Sequence, residues 1–170
     1  MTVADGRYAI RAHDAVLKGA QLDPFRAAFD GPNPFVIALT AEIEEIDAFG
    51  HVNNTAYQRW MEACAWAHSI AVGAPPEACR ALNRGMALRS LEIDYLRASF
   101  LDQRVLVANW VVKVDRLRAE RRFQVLEAAS GATLARAVGR YVCIDLHSGA
   151  PVRMPELFVK AYVVGDLPTI

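Results

Sequence analysis

The sequence has no surplus of positive charge. Lys plus Arg and Asp plus Glu number 19 each, for a formal net charge of +0, so the broad basic face that holds a nucleic-acid backbone is not expected. No apolar run approaches the roughly 20 residues that span a bilayer. The opening MTVADGRYAIRAHDAV lacks a basic region followed by an apolar stretch, so no export signal is expected either. Three dispersed cysteines, Cys64, Cys79 and Cys143, are odd in number and lack metal-ligand spacing. They read as small buried residues of a reducing compartment. No Walker-type or Rossmann-type glycine loop and no metal-binding cluster occurs, so neither a nucleotide cofactor nor a metal is expected. These absences describe a cytoplasmic protein without cofactor, membrane or nucleic-acid partner.

What is present suits one domain. The chain has 170 residues, 54% of them apolar, enough for a sizeable core. Residues 1–34 read as an N-terminal extension. Ala12 to Phe29 has helix-compatible spacing broken by Gly19 and Pro24, and the breaker Gly31-Pro32-Asn33-Pro34 closes the segment. The main domain is taken as residues 35–165. It opens with Ile37, Leu39, Ala41 and Ile43 alternating with Ala38, Thr40, Glu42 and Glu44, the period of a half-buried strand. A helix is predicted from about Thr55 to Val72, ended by Gly73 and the Pro75-Pro76 pair. It is apolar almost all round, with Tyr57, Trp60, Met61, Cys64 and His68 on one side and Trp66 and Ile70 on the other, which predicts burial. A short helix from Pro76 to Leu82 precedes strands at Met86–Tyr95, Val105–Val114, Arg122–Ala128 and Thr133–Asp145. Ser130-Gly131 marks a hairpin turn, and Pro151 and Pro155 forbid a further central strand. One strand, a long buried helix and then four hairpin-linked strands define an α+β fold, an antiparallel five- to six-stranded sheet wrapped around a central helix.

The stretch from Asp47 through Gly50, His51, Asn53 and Asn54 to Tyr57 and Glu62 carries the chemistry. An acidic residue leaves a strand, a glycine-containing turn reverses the chain, and polar residues open the helix. The first amides of a helix have no internal acceptors and carry the positive end of its dipole. A carboxylate held nearby faces whatever carbonyl oxygen binds there, which is the pairing that thioester hydrolysis needs. Asp, Gly and Asn are also ordinary turn and cap residues. Residue types alone therefore favour a simple strand end and capped helix over a catalytic turn.

The pattern D-x-x-G-H-V-N-N-x-x-Y-x-x-W-x-E, residues 47–62, resembles the signature of the 4-hydroxybenzoyl-CoA thioesterase-like branch of the hotdog superfamily. Its H-V-N-N-x-x-Y part also looks like plant acyl-carrier-protein thioesterases. Ile93-Asp94-Tyr95-Leu96 and the run from Val142 to Leu157 add support, so about residues 35–160 are covered. The resemblance implies a hotdog fold and hydrolysis of an acyl-CoA or acyl-carrier-protein thioester. Asp47 would act as general base or nucleophile, the backbone N–H of Asn54 as oxyanion donor, and Gly50 as the residue that lets the backbone turn close to the thioester. His51 would orient Asp47 or water, or bond to the loop backbone. Asn53 would position water or brace the loop, and Tyr57 would contact substrate. Glu62 is the competing carboxylate, although Arg59 beside it suggests an ion pair. His68 reads as a core histidine, and His13 and His147 carry no motif. The basic residues Arg89, Arg97, Lys113, Arg116, Arg118, Arg121 and Arg122 are candidates for CoA phosphates or for a solvated hairpin. Trp60, Trp66, Met61 and Phe49 are candidates for pocket or core. The resemblance also implies a homodimer or a dimer of dimers, with the apolar faces of Val105–Val114 and Thr133–Asp145 available for pairing. A non-catalytic acyl-CoA-binding module is the alternative function. A hotdog dehydratase fits less well, because Asp47 and His51 sit in one tight loop.

Overall fold

The structure, a computed structural model, describes residues 14–164. Residues 1–13 of the expected extension, His13 among them, and residue 165 lie outside the described residues. Among the described residues there are six strands and three α-helices. In chain order they are β1 (Ala15–Leu17), β2 (Phe35–Thr40), α1 (Asn54–Ala71), α2 (Pro76–Ala81), β3 (Arg84–Tyr95), β4 (Arg104–Val114), β5 (Arg118–Glu127), β6 (Thr133–Asp145) and α3 (Glu156–Ala161). The strands form one antiparallel sheet in the order β1-β2-β4-β5-β6-β3. Register shifts at Leu88/Ser90, Val111/Lys113 and Val125/Leu126 mark the irregularities that let such a sheet curl around a helix.

The α1 helix packs Ala56, Tyr57, Trp60, Met61 and Cys64 onto Ile37, Leu39, Val105, Val107, Val125 and Ala135. On the other side of the sheet, Val36, Ala38, Leu106, Ala108, Trp110 and Leu126 are covered by Leu17, Leu22, Phe25 and Phe29. The latter three residues belong to a 3₁₀ stretch around Gly19–Ala28 and its end, where the sequence suggested an interrupted helix. This double covering corrects two expectations. The β2 strand is buried on both faces and stops at Thr40, and a 3₁₀ turn at Ile43–Glu45 takes over where alternation was expected to continue. The apolar face Leu106–Ala108–Trp110 is covered within the same chain, so it is not an open surface awaiting a partner.

A third correction concerns α1. It begins one residue earlier than expected and is not buried all round, because Thr55, Gln58, Arg59, Glu62 and Ile70 are exposed. Its sheet-facing side alone accounts for the apolar stripe. The C-terminal tail adds α3, which the two prolines had obscured. Phe158 and Tyr162 pack there against Val111, Ala119 and Cys143. β5 also begins four residues before the expected Arg122, because Asp115 Oδ1 accepts the N–H groups of Leu117 and Arg118 and sets a tight hairpin turn.

Candidate active site

An isolated bridge between Ile46 and Val52 pinches the chain into a loop. Inside it the Asp47 N–H donates to the His51 carbonyl at 2.8 Å, and the Gly50 N–H donates to the Asp47 carbonyl at 3.1 Å. Gly50 sits at φ +78°, a left-handed conformation that a side chain would strain. The Asp47 carboxylate turns back over this loop. Its Oδ1 accepts from the backbone N–H of Phe49 at 2.8 Å and of His51 at 3.2 Å. Oδ2 has no acceptor role among the described residues. Half-buried Asp47 is therefore anchored through one oxygen, with the other available.

The loop delivers the chain straight into α1. Asn53 caps it, its Oδ1 accepting from the N–H and the hydroxyl of Thr55, both at 2.8 Å. Such a cap is worth about 1 kcal/mol. The Asn53 carbonyl accepts the Ala56 N–H at 2.8 Å. Among the described residues the N–H of Asn54, the first helical residue, has no acceptor. The anchored carboxylate and this donor are thus seven residues apart on one pinched turn.

Buried groups hold that turn in place. Glu45 accepts the Trp60 indole N–H at 2.8 Å on one carboxylate oxygen and the Glu42 N–H at 3.0 Å on the other. Its carbonyl takes the Asn53 N–H at 2.8 Å. The Ser99 carbonyl accepts the Val52 N–H at 2.8 Å, and the Ser99 hydroxyl lies 2.7 Å from the Tyr57 hydroxyl. The Tyr95 hydroxyl donates to the Asn54 carbonyl at 3.1 Å. Burial pushes the Tyr57 phenol above its ordinary pKa, with the Ser99 bond acting the other way.

A groove of about 430 Å³ opens beside this turn, between the exposed side of α1 and the inner faces of β3, β5 and β6. It starts at Thr55 and passes Met61, Glu62, Trp66, Leu91 and Phe123. It ends at Arg121, Tyr141 and Tyr162. Arg121 is only 4% exposed. Its Nη1 lies 2.8 Å from His68 Nδ1 and donates to Asn109 Oδ1 at 3.2 Å, and its Nη2 donates to the Ser69 hydroxyl at 3.1 Å. The guanidinium carbon stands 5.0 Å from the Tyr162 ring centre and 5.9 Å from that of Tyr141. Burial first, and the Arg121 charge second, lower the His68 pKa to about 4. A wider cleft of about 650 Å³ lies under the N-terminal segment around Leu17, Leu22, Phe29 and Phe35. It contains no carboxylate among its lining residues and is remote from the Asp47 turn.

The structure brings Asp47, Gly50, His51, Asn53 and Asn54 together. Tyr57 is separate, 2% exposed and bonded to Ser99 rather than open to a ligand. The His51 ring packs edge-on against Phe100 at 5.3 Å, and only its backbone N–H touches Asp47. The expected Arg59–Glu62 ion pair does not form. Arg59 donates to the Thr55 hydroxyl at 3.2 Å, leaving Glu62 on the groove wall. Trp66 and Met61 line the groove, whereas Trp60 is buried against Glu45 and Phe49 is 86% exposed. Arg121 does not reach solvent at the hairpin as expected, because its side chain points inward from β5 and is buried. Nothing local in the sequence singled out Glu45 or Ser99, or placed the candidate Arg121 in the interior, since their partners lie 15, 42 and 53 residues away.

A curled antiparallel sheet around one long helix defines an α+β hotdog fold. The thioesterase-like superfamily model matches residues 41–162, well over half of the chain, and the chain belongs to that superfamily. Solved structures agree in fold. The 1,4-dihydroxy-2-naphthoyl-CoA thioesterase from Synechocystis is 18% identical, with a TM-score of 0.70 over 76% of this chain and 96% of that one. A DHNA-CoA thioesterase from Staphylococcus aureus is 20% identical, TM-score 0.70, over 75% and 87% respectively. A hypothetical Staphylococcus aureus protein in complex with CoA is 16% identical, TM-score 0.74, over 81% and 89%. No curated protein matches the chain in sequence.

Proposed function

We propose that the protein hydrolyses an acyl thioester of CoA or of a carrier protein, with Asp47 as its catalytic carboxylate. One observation carries this reading. Asp47 is fixed through Oδ1 while Oδ2 stays available, on the same turn as the unsatisfied Asn54 amide, and the next residue, Thr55, begins a groove along α1. In this scheme the thioester oxygen accepts the Asn54 N–H, which favours the charge that develops on it as the carbonyl is attacked. Asp47 either takes a proton from the attacking water or attacks the carbonyl carbon itself. Collapse of the tetrahedral intermediate expels the thiolate, and where Asp47 is the nucleophile water then cleaves the mixed anhydride, freeing the acid and restoring the carboxylate. Gly50 lets the backbone pass close, Asn53 holds the helix start, and His51 stiffens the loop through its amide. Tyr57 acts indirectly, bracing the turn through Ser99. The CoA-bound structural neighbour supports CoA as the thiol. Three buried, unpaired cysteines support a cytoplasmic setting.

A homodimer completes the proposal. The long β3 strand forms one edge of the sheet with exposed Leu88 and Tyr95 on it, and an open edge of that length invites a second strand. A second catalytic reading rests on Glu62, an exposed carboxylate on the groove wall. Thiol release from a panel of aliphatic and aromatic acyl-CoAs separates these readings. Asp47→Asn, which keeps the Oδ1 acceptor and removes the charge, is expected to cut kcat by at least about 100-fold. Glu62→Gln is expected to cost far less. The reverse order would move the role to Glu62. Saturable acyl-CoA binding with no hydrolysis across the panel would leave a binding module instead.

A further inference from the structure

We infer that the inner end of the groove, at Arg121, is an anion subsite that selects long acyl groups bearing a carboxylate at their far end. The inference deepens the hydrolase reading and rests on it.

A guanidinium stays charged at any ordinary pH, and burying a charge without a counter-charge is costly. Arg121 is 4% exposed, yet each of its hydrogen-bond partners is uncharged: His68, Asn109 and Ser69. Burial keeps His68 in its neutral form at neutral pH. Among the described residues Arg121 makes no ion pair, and what lies over its face is the rings of Tyr141 and Tyr162. A guanidinium has five N–H donors. Those three bonds leave the Nε–H and one Nη2–H without an acceptor among the described residues. Two such donors form the fork that a carboxylate meets with both oxygens.

Arg121 also lines the groove, so a ligand that fills the groove meets this group. The path to it is mainly apolar, past Met61, Ala65, Leu91 and Phe123. Helical rise sets its length, since Thr55 to Ser69 along α1 corresponds to about 21 Å. Short diacids therefore end before the subsite, whereas a long ω-carboxyacyl chain reaches it. A methyl-ended chain of the same length would strip water from the guanidinium and give nothing back. Sites built around a buried polar group discriminate strongly against ligands that leave it unpaired.

The test compares hexadecanedioyl-CoA with palmitoyl-CoA on the wild-type protein, reading thiol release. The expected ratio of kcat/KM is at least about tenfold in favour of the carboxylated substrate. Arg121→Gln, with folding checked by circular dichroism, is expected to bring the ratio to about one. A wild-type ratio at or below one overturns the subsite, whatever the variant does. Should neither substrate, nor any member of the aliphatic and aromatic acyl-CoA panel, be hydrolysed, the hydrolase reading fails separately. Calorimetric titration of the same pair then decides the subsite. Tighter binding of hexadecanedioyl-CoA supports it and equal or weaker binding overturns it.

Discussion

Replacing Glu45 by Gln is expected to loosen the Asp47 turn, although the two side chains are nearly isosteric. Glu45 is 8% exposed, and among the described residues one of its carboxylate oxygens accepts the Trp60 N–H at 2.8 Å and the other the Glu42 N–H at 3.0 Å. Glutamine has a single acceptor oxygen, so its amide nitrogen must face one of those donors. One buried donor then loses its acceptor and meets another donor. Leaving a buried donor unsatisfied costs about 1–3 kcal/mol, toward the upper end when the lost acceptor was charged. We therefore expect Glu45→Gln to lower the unfolding free energy by about 2 kcal/mol. Urea unfolding followed by tryptophan fluorescence measures this directly. A double-mutant cycle with Trp60→Phe isolates the indole bond, and a coupling of about 1–2 kcal/mol is expected for such a contact. Because the Glu45 carbonyl also holds the Asn53 N–H, the loosening should reach Asp47 and Asn54. A fall in kcat of roughly tenfold with little change in KM is expected from a slight misplacement of these groups. An unchanged urea midpoint together with a coupling below about 0.5 kcal/mol would refute the reasoning.

Two further outcomes follow. His68 is depressed to about 4 in the fold, mainly by burial and then by Arg121, against 6.5 ordinarily. The unfolded chain thus binds the extra proton first as pH falls, and stability is lost between about pH 6.5 and 4, by about 1–3 kcal/mol. His68→Gln should flatten that part of the pH–stability curve, and an unchanged slope would count against the burial argument. Light scattering at micromolar concentration should return the mass of a dimer or a multiple of it. A monomer under those conditions would remove the proposed pairing across β3.

The sequence made the fold legible where pattern and geometry share a period. Thr133–Asp145 was read to the residue, and α1 to within one residue at each end, because Asn53 and Gly73 mark its limits. β2 misled, since burial on both faces erases alternation, and that second face is covered by a segment whose 3₁₀ form has no strong periodic signal. The Asp47 turn was legible because its partners lie within seven residues: Asp47 to Phe49 and His51, Asn53 to Thr55. The groove was not. Its walls come from α1, β3, β5, β6 and the tail, and a basic cluster such as Arg116–Arg122 reads as a solvated hairpin until the register turns Arg121 inward. Alternate residues of a strand face opposite sides, so exposed Arg118 and buried Arg121 differ through the β-hairpin's register and not through composition.

The same separation between turn and groove bears on assembly. Asp47 does not line the groove of its own chain, which begins at Thr55 and leaves Gln58, Arg59 and Glu62 exposed along one side. A pocket that is to exclude water from a thioester needs a wall there. The described part of one chain supplies none, because residues 17–29 cover the opposite face of the sheet. The β3 strand is both the open sheet edge and one bank of the groove, through Met86, Leu88 and Leu91. A second chain paired along β3 would therefore arrive at the groove as well as at the edge. In the proposed dimer one contact answers two needs, the unpaired edge and the missing wall, so a monomeric variant should lose activity before it loses its fold.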